Sequence, residues 1–184
     1  ARRMKYDVEA LAKRFDVSFG EVATRLTTLG CVKMEGIPFF LQEVDQAGNM
    51  VRRLGLNGYP RAKFGGQCPK LSIFKVVSLP QQLLTQIVEH ADGQAYFTLN
   101  RSTQQSGGAY GENMRQTAIL LGCEAEYLTD TVYMQGGAVG RADVGQNCRL
   151  CERPHCAQRA EPPIARPLMF DGSENSVSAF NFKV

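Results

Sequence analysis

The chain has 184 residues and a mass of 20.3 kDa, with 43% apolar and 21% charged residues. That composition suits one folded domain and argues against a disordered chain or a fibrous protein. No apolar run approaches the ~20 residues of a membrane span, and the start, Ala1 to Tyr6, lacks the apolar core of a signal peptide. The expected location is therefore the cytoplasm, and the missing initiator Met suggests a fragment of a longer protein. The net charge of +3 is too small to imply a nucleic-acid partner by itself.

Residues 7–29 carry the apolar spacing of two helices. Asp7 caps the first, with Val8, Leu11, Ala12 and Phe15 on one face. Ser18 and Glu21 form a capping box for the second, which presents Val22, Leu26 and Leu29. The break at Asp16-Val17-Ser18 gives a helix-turn-helix outline. The second helix carries a single basic residue, Arg25, so packing is the stronger reading of the pair than DNA recognition.

After Gly36 the period changes. Ile37 to Val44 reads as a strand, residues 45–49 as a turn, and Met50 to Leu56 as the returning strand of a hairpin. A loop from Pro60 to Pro69 precedes a short helix over Leu71 to Val77. Leu83 to His90 and Ala95 to Asn100 form a second hairpin, residues 102–113 a polar loop, Arg115 to Cys123 a fifth strand, and Glu124 to Tyr133 a helix. A Gly-rich link, a cysteine motif and a Pro-rich tail follow. The expected fold class is α+β: an antiparallel five-stranded sheet with helices on one face, a sensor of GAF or PAS type, plus a C-terminal cysteine-rich segment. The expected divisions are 1–34, a helical segment continuing an upstream domain; 35–140, the sensing domain; and 141–184, the cysteine-rich segment and tail.

Charge is unevenly spread. From Gln46 to Val88 there is no Asp or Glu, while Arg52, Arg53, Arg61, Lys63, Lys70 and Lys75 all fall there. Tyr59, Phe64 and Phe74 are interleaved with them. Such a stretch suits an anionic ligand, phosphate above all, or else a solvated basic face.

Of six cysteines, three form Cys148-Arg-Leu-Cys151-Glu-Arg-Pro-His-Cys156, a C-x2-C-x4-C pattern. With nothing pointing to export, metal binding is favoured over disulfides. An iron–sulfur cluster with three grouped thiolates and one distant one fits best, and the surrounding Arg149, Arg153, Arg159 and Arg166 suit its negative charge. Zinc and a thiol–disulfide switch are the alternatives. The fourth ligand is Cys123 or Cys68, with Cys123 preferred, and Cys31 reads as a buried apolar residue. No phosphate loop, dinucleotide fingerprint or nucleophile elbow is present. His90 reads as a surface residue ending a strand. No residue is assigned a catalytic role.

The segments Tyr6–Phe15, Val22–Leu26, Gly36–Phe40, Phe64–Pro69, Leu121–Cys123, Cys148–Arg153, Cys156–Ala160 and Arg166–Leu168 resemble the C-terminal sensor region of the bacterial short-chain fatty acyl transcriptional regulators. The resemblance implies a longer protein with an N-terminal helix-turn-helix DNA-binding domain and a peptidase-like middle domain. The opening helices here would end that middle domain, and its His-Glu-x-x-His motif is absent. It also implies a short-chain acyl-CoA ligand and a 4Fe-4S cluster, with DNA contacted through the upstream domain. The expected acyl-CoA contacts are Arg53, Arg61, Lys63, Phe64, Lys70 and Phe74, because the phosphates of coenzyme A seek Arg and Lys, and aromatic rings can hold adenine or acyl chain. The expected cluster ligands are Cys123, Cys148, Cys151 and Cys156. No membrane contact is expected, and assembly as a homodimer is left open. The alternatives are a zinc-stapled interaction module and a cluster-containing enzyme acting on a CoA thioester.

Overall fold

Two helices open the computed structural model, which describes residues 1–30, 36–55, 58–60, 66–104, 115–135, 139–169, 178, 180 and 182. Helix α1 (Val8–Phe15) starts where the Asp7 side chain accepts the Ala10 N–H, and α2 (Phe19–Leu29) starts at the full Ser18/Glu21 capping box. Both starts follow the sequence expectation. Phe15 does not: it is 65% exposed at the end of α1.

Strands β1 (Phe40–Asp45) and β2 (Met50–Leu54) form the first hairpin. Its turn is fixed by Asp45, whose Oδ1 accepts the N–H groups of Ala47 and Asn49, and by Gly48 at φ +83°. The short helix α3 (Ser72–Lys75) is followed by β3 (Leu83–Glu89), β4 (Ala95–Gln104) and β5 (Gln116–Glu124). The expected helix after β5 is two short 3-10 turns, Ala125–Asp130 and Val132–Gln135. The last strand, β6 (Gly140–Asp143), lies in what the sequence presents as a link.

The sheet order is β2-β1-β5-β4-β3-β6. Five strands pair antiparallel as expected, but β6 adds itself parallel to β3, so among the described residues the sheet is six-stranded and mixed. Gly140–Asp143 carries too few apolar residues to announce a strand. Its ladder with Gln86–Glu89 straddles the expected division at 140/141.

The two faces of the sheet are both covered, not one. On the first, α1 and α2 place Leu11, Val22, Ala23 and Leu26 against Phe39, Leu41, Phe97, Leu99, Ile119 and Leu121. On the second, Ile73 and Val76, from α3 and the turn after it, cover Phe40, Val44, Val88, Tyr96 and Leu120. Alternate residues of β1 and β5 serve opposite faces, as a period of two demands. Each such buried Leu, Ile, Val or Phe contributes about 1.5–3 kcal/mol relative to exposure. Among the described residues, no helix is long and apolar enough to cross a membrane.

Candidate functional site

The second face leads directly to the cysteine motif. Strand β6 ends with the Val144 N–H donating to the carbonyl of Glu89 at 2.9 Å, and Val144 is fully buried. Gly145 follows. Its N–H and that of Lys70 donate to the sulfur of Cys68, which is buried. An added Cβ on Gly145 would stand 2.8 Å from the sulfur of Cys151. Cys68 is close enough to Cys148 and Cys151 that a charge on either would oppose one on its own sulfur. Its thiol is pushed up, first by burial, then by those two neighbours, against the pull of its two N–H donors.

The motif itself is a tight, non-helical loop. The Cys151 N–H donates to the Cys148 carbonyl at 3.4 Å, the Ala160 N–H to the Cys148 sulfur at 3.3 Å, and the Leu150 N–H to Asn147 Oδ1 at 2.9 Å. His155 takes a left-handed conformation, φ 51°, to turn the chain toward Cys156. The Arg159 N–H then donates to the Cys156 carbonyl at 3.2 Å. The Arg159 side chain reaches back over the loop and donates to three of its carbonyls, those of Cys148, Cys151 and Arg153. Arg153 pairs with Asp143 at 3.6 Å and Arg166 with Glu152 at 3.5 Å, both near the surface.

Cys123, preferred from sequence as the fourth ligand, sits elsewhere. It is fully buried on the first face of the sheet, in the cluster that includes Phe97 and Leu121, and burial pushes its thiol up to about 12. The chain reverses face with every residue of β5, which sends Cys123 toward α1 and α2. It is Cys68 that the loop before α3 brings to the motif. The five described cysteines, Cys68, Cys123, Cys148, Cys151 and Cys156, are all free thiols. Cys31 lies outside the described residues.

Among the described residues, no three Cys, His, Asp or Glu side chains close on one point as a single metal ion requires. The cysteines that neighbour one another nonetheless come from two separate loops, and the buried guanidinium beside them has no carboxylate partner among the described residues. This chemistry fits an anionic iron–sulfur core, which is wider than one ion, better than the tight tetrahedron of a lone zinc.

A cavity of about 630 Å³ adjoins the loop, lined by Pro60, His90, Asp92, Gly145, Cys151 and Arg153 among others. His90 is a correction to the surface reading. It is 5% exposed, its ring edge-on to Tyr59 and Tyr96 at 5.2 and 5.8 Å. Burial holds its pKa below the ordinary imidazole value, and Arg153 also lowers it, against Asp92. A histidine closing a strand carries no sequence signal for burial; the aromatic pair that shelters it comes from distant segments.

Of the expected acyl-CoA contacts, Arg53 lies on the outer strand β2, half-buried, opposite Gln42. Lys70 adjoins Cys68, its carbonyl accepting from Gln86 Nε2 at 3.0 Å. Phe74, on α3, packs in the second core beside Gly48. Arg61, Lys63 and Phe64 lie outside the described residues.

Residues 28–180 match the family described as "Short-chain fatty acyl coenzyme A regulator, C-terminal". The HTH-type transcriptional regulator RamB of Mycobacterium tuberculosis is 34% identical, covering 100% of this chain and 40% of its own. The propionyl-CoA carboxylase regulator of Cereibacter sphaeroides is 35% identical over 93% of this chain and 38% of its own. A solved structure of a Mycobacterium tuberculosis transcriptional regulator superimposes with a TM-score of 0.87 at 30% identity, covering 96% of this chain and 55% of that one. The chain thus spans about two fifths of the length of the curated relatives it matches. With its fold and its sequence in agreement, the chain belongs to the short-chain fatty acyl coenzyme A regulators and represents their C-terminal domain.

Proposed function

We propose that this chain is the sensing part of a bacterial transcriptional regulator that binds a short-chain acyl-CoA and carries a 4Fe-4S cluster on Cys68, Cys148, Cys151 and Cys156. The observation that carries the cluster reading is the meeting of Cys68 with Cys148 and Cys151, from segments about 80 residues apart, next to a buried cation. A bound cluster supplies a one-electron couple and sensitivity to oxidants. The chain's own residues hold it: Gly145 leaves room for Cys151, and the N–H groups of Gly145 and Lys70 orient the Cys68 sulfur.

The acyl-CoA reading is supported by the family and by the acid-free stretch 46–88. Arg53, Lys70 and Phe74, with Arg61, Lys63 and Phe64, are the proposed contacts. The ligand shifts the equilibrium between two arrangements of the domain only through its different contacts with each. In the longer protein that shift alters DNA binding by a separate domain, in the cytoplasm. The role is regulatory and not catalytic.

Native mass spectrometry of the anaerobically reconstituted chain with propionyl-CoA tests all of this together. Mass increments for one cluster and one acyl-CoA are expected, with the acyl-CoA increment weakened in Lys70→Ala, and the same spectrum reads monomer against homodimer. Zinc without iron, or no bound acyl-CoA when the cluster is intact, removes the corresponding half of the proposal.

A further inference from the structure

We propose that Arg159 is the positioning residue of the cysteine centre: it holds the ligand loop in shape and supplies the one buried, permanent positive charge beside the sulfurs among the described residues. The inference rests on reading the site as a thiolate centre and assigns a role to a side chain outside the ligand set.

Arg159 is 7% exposed. One terminal nitrogen, Nη1, donates to the carbonyls of Cys148 at 3.0 Å and Cys151 at 3.1 Å, and Nη2 donates to that of Arg153 at 2.7 Å. Three points of a six-residue loop are thereby fixed to one rigid plane. The guanidinium lies over the ring of Phe182, 4.8 Å from its centroid, and Phe182 itself bridges to Leu168. Only arginine can do this: its planar fork serves several acceptors at once, and it keeps its charge at any working pH.

The other cations of the motif differ. Arg149 is exposed, while Arg153 and Arg166 have carboxylate partners and lie where water screens them. Arg159 has carbonyl dipoles on its edge, an aromatic face above it and, among the described residues, no ion pair. A buried charge left with dipoles alone is unfavourable. Glu152, the one carboxylate of that loop, is exposed and paired with Arg166, which leaves the sulfurs of Cys148 and Cys151 to carry a negative charge against the buried guanidinium. The cation is thus the structural counterpart of an anionic centre. Its charge favours the more negative, reduced form of a cluster, and its hydrogen bonds keep the sulfurs from drifting apart when the cluster is absent.

The test compares the whole 184-residue chain with R159K and R159M after anaerobic reconstitution with iron and sulfide. Three quantities are read: iron per chain, the rate of iron loss to a chelator, and the midpoint potential for adding one electron at an electrode. R159M should lose iron about 10-fold faster or more, the usual effect of removing an outer partner of a metal site. Its remaining cluster should have a lower midpoint potential than the wild type. R159K should recover the potential, because the charge returns, but not the slow loss, because one ammonium cannot bridge three carbonyls. That split separates an electrostatic and positioning role from a purely structural one. Wild-type potential and loss rate in R159M overturn the proposal. If R159M does not fold, R159K decides: a loss rate equal to the wild type overturns it. Failure of the wild-type chain itself to take up iron and sulfide overturns the cluster reading and this inference with it.

Discussion

Gly145→Ala tests the geometry of the cysteine centre without touching a sulfur. The new methyl carbon would stand 2.8 Å from Cys151 Sγ and 2.9 Å from Cys151 Cβ, where ordinary contact begins at 3.4 Å. Cys151 must therefore retreat by about 0.6 Å in a loop that Arg159 pins at three carbonyls. Gly145 is not at positive φ, so the change tests space and not backbone strain. Overpacking of this kind costs about 1–3 kcal/mol. The metal-free chain should accordingly lose that much stability in urea, read by circular dichroism, and the reconstituted chain should hold several-fold less iron. Gly66→Ala is the control, since its methyl would meet nothing within 4 Å. If Gly145→Ala melts and loads like the control, the close approach of Gly145 to Cys151 is not a constraint and the proposed arrangement of the centre falls.

Three further outcomes follow from the same structure. Cys68→Ala should abolish iron retention, whereas Cys123→Ala should retain iron and cost about 1–2 kcal/mol for a small core cavity; the reverse pattern in iron analysis would return Cys123 to the ligand set. His90 is held below its ordinary value of 6.5, so the unfolded chain takes up the proton first. Stability should be full above that value and fall as the pH drops below it; His90→Phe should flatten the fall between pH 7 and 5 in urea titrations. Gly122 faces the ring of Phe40 across the β1–β5 ladder, and a Cβ there would overlap the ring. Gly122→Ala should cost about 1–3 kcal/mol, partly recovered by Phe40→Leu, as measured by thermal melting.

Much of the fold is written in local chemistry. The Ser18/Glu21 box, the Asp45–Gly48 turn and the apolar run of β5 each depend on neighbours within a few positions, and each appears where the residues predict it. What depends on distant segments is not legible. Strand β6 has no apolar pattern of its own and exists because Glu89 and its neighbours offer an open edge. The choice between Cys68 and Cys123 turns on which face of a sheet each residue meets, and a single residue of register decides it. Arg159 is visible in the sequence only as one more positive charge near the motif. Its role depends on the chain doubling back over Cys148–Arg153, which no spacing rule announces.

The parallel pairing of β6 with β3 gives the cysteine loop a mechanical connection to the sheet border, through four register pairs and the Val144–Glu89 bond. If the loop unravels, β6 peels away with it, and the outer side of Gln86–Glu89 becomes a bare row of peptide donors and acceptors. Such a border is a template for joining another chain. Oxidative damage to the cysteines would then reveal itself first as self-association through β3, detectable by light scattering before the helices on the opposite face melt.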